Sequence, residues 1–362
     1  MADPATRPDE TPAIEPVRAP AAGRANAPRR GWLLALKVIV TLGLLGWLLR
    51  QMVLRDGVDV LLDRASNLSP TWVALAIVLH FGAVTTGVLR WRVLLATRGV
   101  NEPLTVLFRS FLVGRFIGAF TPSTTGLDGY RLWDIGRRTG DYATSGAVIL
   151  VEKFVGLVGM ATVCLVLLPF GLLERLGLFG VLVALGMAGV ALLGLFVLSS
   201  PARAASLAGL APGPLRPRAK KIAEAMAGGL ALSSLAPALG LGILSHAFLS
   251  ATFAASGLAV GIELSPLTLL AVGNAIVISV LLPISIGGVG VREGVAVALL
   301  VAAGDGIVTT TDAMLLALVG YLTGQAPALV GGLWMLARGD RARPETPALA
   351  RPPIGTSAIA SA

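Results

Sequence analysis

Apolar residues come in runs of about 20 along this chain, separated by short polar segments. As a helix rising 1.5 Å per residue, a run of ~20 residues covers the ~30 Å hydrocarbon core of a bilayer. Six runs are long enough: about 32–52, 71–95, 143–168, 176–199, 236–260 and 313–337. Two further apolar stretches, about 104–130 and 265–303, are interrupted by proline and glycine. The pattern predicts an all-α polytopic membrane protein. It would have about six full spans plus two inverted re-entrant hairpins, roughly eight transmembrane segments. Residues 1–30 are rich in Pro, Ala and Arg without periodicity and read as a disordered basic tail. Residues 31–338 form the integral membrane domain, and 339–362 read as a second disordered tail.

Composition agrees and narrows the class. Only 14% of the 362 residues are charged and 55% are hydrophobic, whereas a soluble domain carries about 25% charged residues. Disorder throughout, coiled coil, collagen and secreted disulfide scaffolds are excluded. The single cysteine, Cys164, allows no internal disulfide and no multi-cysteine metal site. A formal charge of +9 would point to nucleic acid in a soluble protein. Here basic residues cluster between spans, as expected for loops retained in the cytoplasm, so no nucleic-acid partner is expected. Arg24, Arg29 and Arg30 precede the first span, and Arg338, Arg341 and Arg343 follow the last, placing both termini in the cytoplasm of an inner-membrane protein. Arg98, the pair Arg137 and Arg138, and the group Arg203, Arg216, Arg218, Lys220 and Lys221 mark further cytoplasmic loops. Parity then requires the stretch 104–130 to leave and return on the cytoplasmic side, and 265–303 on the outer side.

The two interruptions share a pattern. Thr121 to Arg131 reads T-P-S-T-T-G-L-D-G-Y-R, and Leu282 to Glu293 reads L-P-I-S-I-G-G-V-G-V-R-E. At a constant offset of 161, Pro122 matches Pro283, Gly126 matches Gly287, Gly129 matches Gly290 and Arg131 matches Arg292. Proline ends a helix, glycine permits a tight or left-handed turn, and arginine offers five donors to an anion. Paired Gly/Pro breaks of opposite topology point to a transporter's binding site near the midplane. Pro122, Gly126, Gly129, Pro283, Gly287, Gly288 and Gly290 are therefore expected to shape the hairpin tips.

Ten ionisable residues sit in or beside apolar stretches: Arg90, Arg92, Arg109, Arg115, Asp128, Arg131, Glu152, Lys153, Arg292 and Glu293. A charge at the centre of a membrane helix costs about 2.5–3.5 kcal/mol, so these groups should pair or line a wet cavity. Basic groups outnumber acidic ones, and an anionic ligand would fill the deficit. The expected binding set is Arg115, Asp128, Arg131, Glu152, Lys153, Arg292 and Glu293. Arg131 and Arg292 engage a headgroup from opposite faces, with Asp128 and Glu293 as their counter-ions when the site is empty. Arg115 and Lys153 add positive potential. Glu152 and Lys153 are adjacent on a helix and do not face each other, so one pairs across to another helix. His80 and His246, the only histidines, are either proton relays or partners in helix–helix hydrogen bonds. No Walker loop, H-E-x-x-H or G-x-S-x-G motif is present. No cofactor, metal or catalytic residue is expected.

The chain resembles the flippase-like transmembrane region of the lysylphosphatidylglycerol synthases. The resemblance rests on L-R-W-R-V-L-L at Leu89–Leu95, the Phe120–Arg131 stretch, V-E-K at Val151–Lys153 and, most specifically, Leu282–Glu293. It covers about 31–338. The family usually has an acidic residue directly after the glycine of the first motif, where this chain has Leu127 before Asp128. Many members carry E-R where this chain has Glu152 and Lys153. The soluble aminoacyl transferase part of full-length synthases has no counterpart after residue 338. The resemblance therefore implies a non-enzymatic role: moving an anionic phospholipid or a polyprenyl-phosphate-type intermediate between leaflets. Membrane lipids are the expected partners, with a second copy of the chain or a lipid-modifying enzyme also open. Two rival readings stand beside it: a secondary transporter of a small anionic solute, and a membrane-embedded lipid-phosphate transferase.

Overall fold

The computed structural model describes residues 56–337 and scattered positions between 39 and 54. Residues 122–124, 171, 199, 211, 214–215, 218–219, 221–231, 281–284, 286–287 and 304–305 are outside the description. Both tails, most of the expected first span at 32–52, and Pro122, Pro283 and Gly287 lie outside the described residues. The described chain is all helical. It contains α1 (Val58–Ser66), α2 (Pro70–Ala96), α3 (Leu104–Ala119), α4 (Thr125–Thr139), α5 (Tyr142–Leu167) and α6 (Leu173–Leu176). These are followed by α7 (Leu178–Leu198), α8 (Pro201–Leu210), α9 (Leu232–Val260), α10 (Pro266–Ser279), α11 (Val291–Ala303) and α12 (Thr310–Ala337). Among the described residues five helices, α2, α5, α7, α9 and α12, are long and apolar enough to cross a membrane, and they coincide with five of the six expected spans. The protein is a multi-pass membrane protein.

Helix starts follow local chemistry. Pro70 and Pro266 open α2 and α10 in the first turn, where the missing N–H would have had no partner. The Ser265 hydroxyl caps α10 by accepting from Thr268 N at 3.1 Å. Thr309 and Asp312 cap α12 reciprocally, each backbone N–H donating to the other's side chain at 3.1 Å. Asp56 Oδ2 accepts from Thr311 N at 2.8 Å and Thr311 Oγ1 at 2.7 Å, and Arg64 meets Asp312 at 3.2 Å, which ties α1 to the same end of α12.

Asp141 caps α5, accepting from Thr144 N at 2.9 Å. Hydrogen bonds from Thr144, its hydroxyl first and its backbone N–H second, hold the Asp141 carboxyl below the usual aspartate range. A depressed carboxyl stabilises the fold above its unfolded pKa, and the effect is lost as pH falls through the folded value. Wild type should therefore melt above Asp141→Ala at neutral pH. The two melting curves should converge on acidification below pH ~4. A gap that persists at low pH would count against this cap.

Each broken stretch becomes two short helices, α3 with α4 and α10 with α11. The α3–α4 approach depends on glycine. A Cβ on Gly114 or Gly118 would stand 3.1 or 3.2 Å from Leu127, and one on Gly126 would stand 2.9 Å from Gly118 Cα. Before α11, Gly288 and Gly290 turn at φ 75° and 85°. There the expected left-handed glycines occur. Gly129 corrects the sequence expectation. It lies inside α4, exposed, with open space where a Cβ would be, and shapes no turn. The reason is that α4 begins at Thr125, ahead of both glycines, and an exposed helical glycine costs only about 1 kcal/mol. Arg131 is consequently well inside α4, whereas Arg292 is the second residue of α11.

α9 runs along α2 and also packs on α5, α10 and α12; α3 packs on α12 and α4. One core cluster gathers Trp91, Leu94, Leu107, Ile135 and Val155 around α2–α5, and another gathers Leu269, Ile276, Leu300 and Leu316 around α9–α12. α7 packs mainly on α5 and presents exposed Leu182, Leu185, Leu192 and Leu193 outward, as a lipid-facing helix would.

Candidate functional site

Two neighbouring cavities inside the bundle have charged side chains in their lining. The larger, about 470 Å³, is lined by Arg90, Asp128, Arg131, Glu152, Lys153 and His246. Its lining also includes the apolar Leu127, Ile149, Leu157, Met160, Val277 and Val280. Glu152 on α5 is one of these lining residues and only 5% exposed. It accepts from Arg90 of α2 at 3.1 Å and from Arg131 of α4. The Arg131 guanidinium, in a residue 2% exposed, lies between the Trp91 and Phe111 rings, 4.0 and 4.8 Å from their centroids. A guanidinium is suited to such a place because it stacks on rings while its edge donates to a carboxylate. Lys153, the next residue along α5, points away from Glu152 and meets Asp128 at 2.6 Å. Its side chain is 50% exposed.

This refines the expected pairings. Asp128 is not the principal counter-ion of Arg131: it stands 3.8 Å away and bonds Lys153 more closely, while Glu152 takes Arg131. The reason is register. Asp128 and Arg131 are three residues apart on one helix, but the α4–α5 crossing brings Glu152 nearer to the end of a long side chain. Both members of the Glu152–Lys153 pair reach other helices. In this cavity the cations Arg90, Arg131 and Lys153 outnumber the carboxylates Asp128 and Glu152.

The smaller cavity, about 230 Å³, is lined by His80, Arg115, Arg292, Tyr321, Gly324 and Gln325 with Leu249 and Phe253. Arg115 Nη2 donates to His80 Nε2 at 3.0 Å and to Gly324 O at 2.9 Å. Arg292 bonds the adjacent Glu293, whose other oxygen accepts from Gly290 N at 2.6 Å, and stacks 4.2 Å above the Tyr321 ring. Glu293 thus closes the first turn of α11 and neutralises Arg292 at once. Arg131 and Arg292 therefore line different cavities. Val277 of α10 and Val280, the residue that ends that helix, belong to both linings and form the wall between them.

Two further charges expected near the site have separate places. Arg109 meets Asp134 at 3.3 Å, and Asp134 also meets Arg138 at 3.3 Å, outside both linings. Arg92 is exposed, since two positions along a helix from Arg90 turns it to the far face. Trp91, Phe111, Tyr321, Val277 and Val280 escaped the sequence reading. An aromatic or valine in a long apolar run carries no local mark of a cavity. Trp91 alone had a signal, its position between two arginines in R-W-R.

A family model described as the lysylphosphatidylglycerol synthase TM region matches residues 34–332. No curated protein matches the chain.

Proposed function

Because this chain belongs to the lysylphosphatidylglycerol synthase transmembrane-region family, we propose that it is a lipid translocase of the inner membrane. It would move an anionic phospholipid or a lipid-linked phosphate between leaflets, with both termini in the cytoplasm. The observation that carries the reading is the larger cavity. Its lining has more cations than carboxylates, and the rest of that lining is mostly apolar. An amphiphile with an anionic head matches both kinds of lining residue. A cavity holding Arg131 and Glu152 inside apolar helices is also where an intramembrane charge is expected to be functional. In this reading the headgroup phosphate replaces Glu152 on Arg131 or Arg90. The second cavity, across the Val277–Val280 wall, extends the polar path. The proposal assigns no covalent chemistry to the chain, and it leaves a second copy or a lipid-modifying enzyme as candidate partners.

The test is leaflet exchange of labelled phosphatidylglycerol, cardiolipin and polyprenyl phosphate in liposomes carrying the purified protein. Wild type should exchange at least one of them well above the protein-free rate. Arg131→Gln should be slower by tenfold or more, because a hydrogen bond to a charged group contributes about 1.5–3 kcal/mol and 1.4 kcal/mol is tenfold. Arg137→Gln, an exposed residue outside both cavities, should match wild type. Protein-free rates for every lipid, or an Arg131→Gln protein as fast as wild type, would overturn the proposal.

A further inference from the structure

The smaller cavity fixes the protonation state of one histidine. A guanidinium has donors only and no acceptor. Arg115 Nη2 and His80 Nε2 are 3.0 Å apart, so Nε2 must supply the lone pair, and His80 is the neutral tautomer with its proton on Nδ1. That Nδ1 has no partner among the described residues, nor does Arg115 Nε, and both atoms are buried. His80 is 8% exposed and lines the cavity. His80 and Arg115 thus line the cavity together, with the His80 lone pair already occupied by a cation.

We infer that an anionic phosphate group binding at Arg115 in this cavity is accompanied by uptake of one proton on His80, making the translocation path proton-coupled. The inference rests on the reading that these cavities take phosphate-bearing anions. When an anion engages Arg115, it competes for the Nη2 donor that now holds Nε2 and brings a negative charge beside the ring. The freed Nε2 lone pair accepts a proton from solvent, and the imidazolium pairs with the anion. Without the anion, that proton would sit against an N–H of a guanidinium, two donors and two like charges face to face. Anion and proton therefore favour each other's binding, and the coupling is reciprocal.

No other group facing His80 supplies an equivalent charge. From α3 the charged neighbour is Arg115. From α11 it is Arg292, already bonded to Glu293. α12 contributes the Tyr321 phenol and neutral Gln325. α9, which packs most extensively on α2, presents Leu249 and Phe253 to the cavity, and α5 contributes no lining residue. Gly324 sets the distance: a Cβ there would come within 3.0 Å of His80 Cε1.

The experiment is calorimetric binding to the purified full chain in detergent, in buffers of different ionisation enthalpy, between pH 6 and 8. The probes are dimethyl phosphate and dihexanoyl phosphatidylglycerol, phosphodiesters that do not themselves titrate there. Binding of both identifies the phosphodiester head as the ligand, and binding of the lipid alone identifies a lipid source. For wild type, uptake should approach about one proton per bound anion, and affinity should fall by up to roughly tenfold per pH unit as pH rises. His80→Gln should bind with no proton uptake and a flat pH dependence, whereas Arg137→Gln, at an exposed position outside both linings, should keep both signatures. Gly324→Ala, which displaces the ring and leaves the imidazole in place, should reduce the uptake without abolishing binding.

Absence of uptake in wild type, unchanged uptake in His80→Gln, or failure of both probes to bind would overturn the inference. The translocase reading is judged separately by Arg131-dependent exchange in liposomes. It survives if exchange is intact and insensitive to His80→Gln, and coupling survives a failed exchange assay if proton uptake is observed.

Discussion

Glu152→Ala is expected to destabilise the protein by about 3–5 kcal/mol, the range found when one partner of a buried ion pair is removed. Glu152 accepts from Arg90 and Arg131, and both guanidiniums lie deep in a cavity walled by apolar side chains. Without the carboxylate, two like charges face each other at membrane depth with no counter-ion of equal reach. Asp128 cannot substitute, since it is held by Lys153 at 2.6 Å. Reversible unfolding of the purified protein in mixed micelles would read the loss. Glu152→Gln should lose less, because the amide keeps the shape and one acceptor. The double variant Arg131→Met with Glu152→Met should regain part of the loss, since replacing a buried pair by apolar groups of similar volume is often neutral. Non-additivity of the singles would confirm contact in solution. A Glu152→Ala protein within about 0.5 kcal/mol of wild type, the range of uneventful surface changes, would mean that this ion pair is hydrated and energetically idle. The same variant, where it folds, should bind anions more tightly, because it leaves the cavity with a larger positive excess.

The second large effect concerns two glycines that differ only in their neighbours. A Cβ on Gly159 of α5 would lie 2.6 Å from the Gly242 carbonyl carbon and 2.8 Å from Ile243 N on α9. Those atoms are backbone and cannot step aside by changing rotamer. Gly159→Ala must therefore separate α5 from α9, with an expected loss of about 1–3 kcal/mol or more. The larger cavity should also deform, since Gly156, one turn earlier on α5, and His246, one turn beyond Gly242 on α9, both line it. Gly186→Ala, on lipid-facing α7 with nothing within 4 Å of its Cβ, should have the opposite sign. It gains up to ~1 kcal/mol of helix propensity. Unfolding free energies of the two variants, measured side by side, check the contrast. A Gly159→Ala protein as stable as Gly186→Ala would show that the two helices are not in backbone contact.

Small residues at such crossings are how membrane helices approach closely. They also mark the limit of what a chain's pattern discloses. Gly159 and Gly186 look alike in sequence, each a glycine in an apolar run, and only the packing distinguishes them. Gly129 and Gly290 occupy matched positions in two similar motifs, yet one is an ordinary helical residue and the other a left-handed turn at φ 85°. The decisive difference is where each helix begins, α4 ahead of its glycines and α11 after them.

What the sequence determined by itself was everything governed by local composition. A run of about 20 apolar residues must be a helix in a bilayer, because nothing there except the helix's own carbonyls can satisfy its N–H groups. Five described spans follow from that rule alone. So did the recognition that the rare charges in the spans matter, because burying a charge is costly wherever it falls. Tertiary structure decided which charge meets which. Glu152 rather than Asp128 takes Arg131, Arg115 takes His80, and Arg131 and Arg292 look into separate cavities across Val277 and Val280. Those choices depend on helix crossings and side-chain reach between residues up to 255 positions apart, as for Asp56 and Thr311. The cost of burying a charge is set residue by residue, whereas its partner is set by the fold.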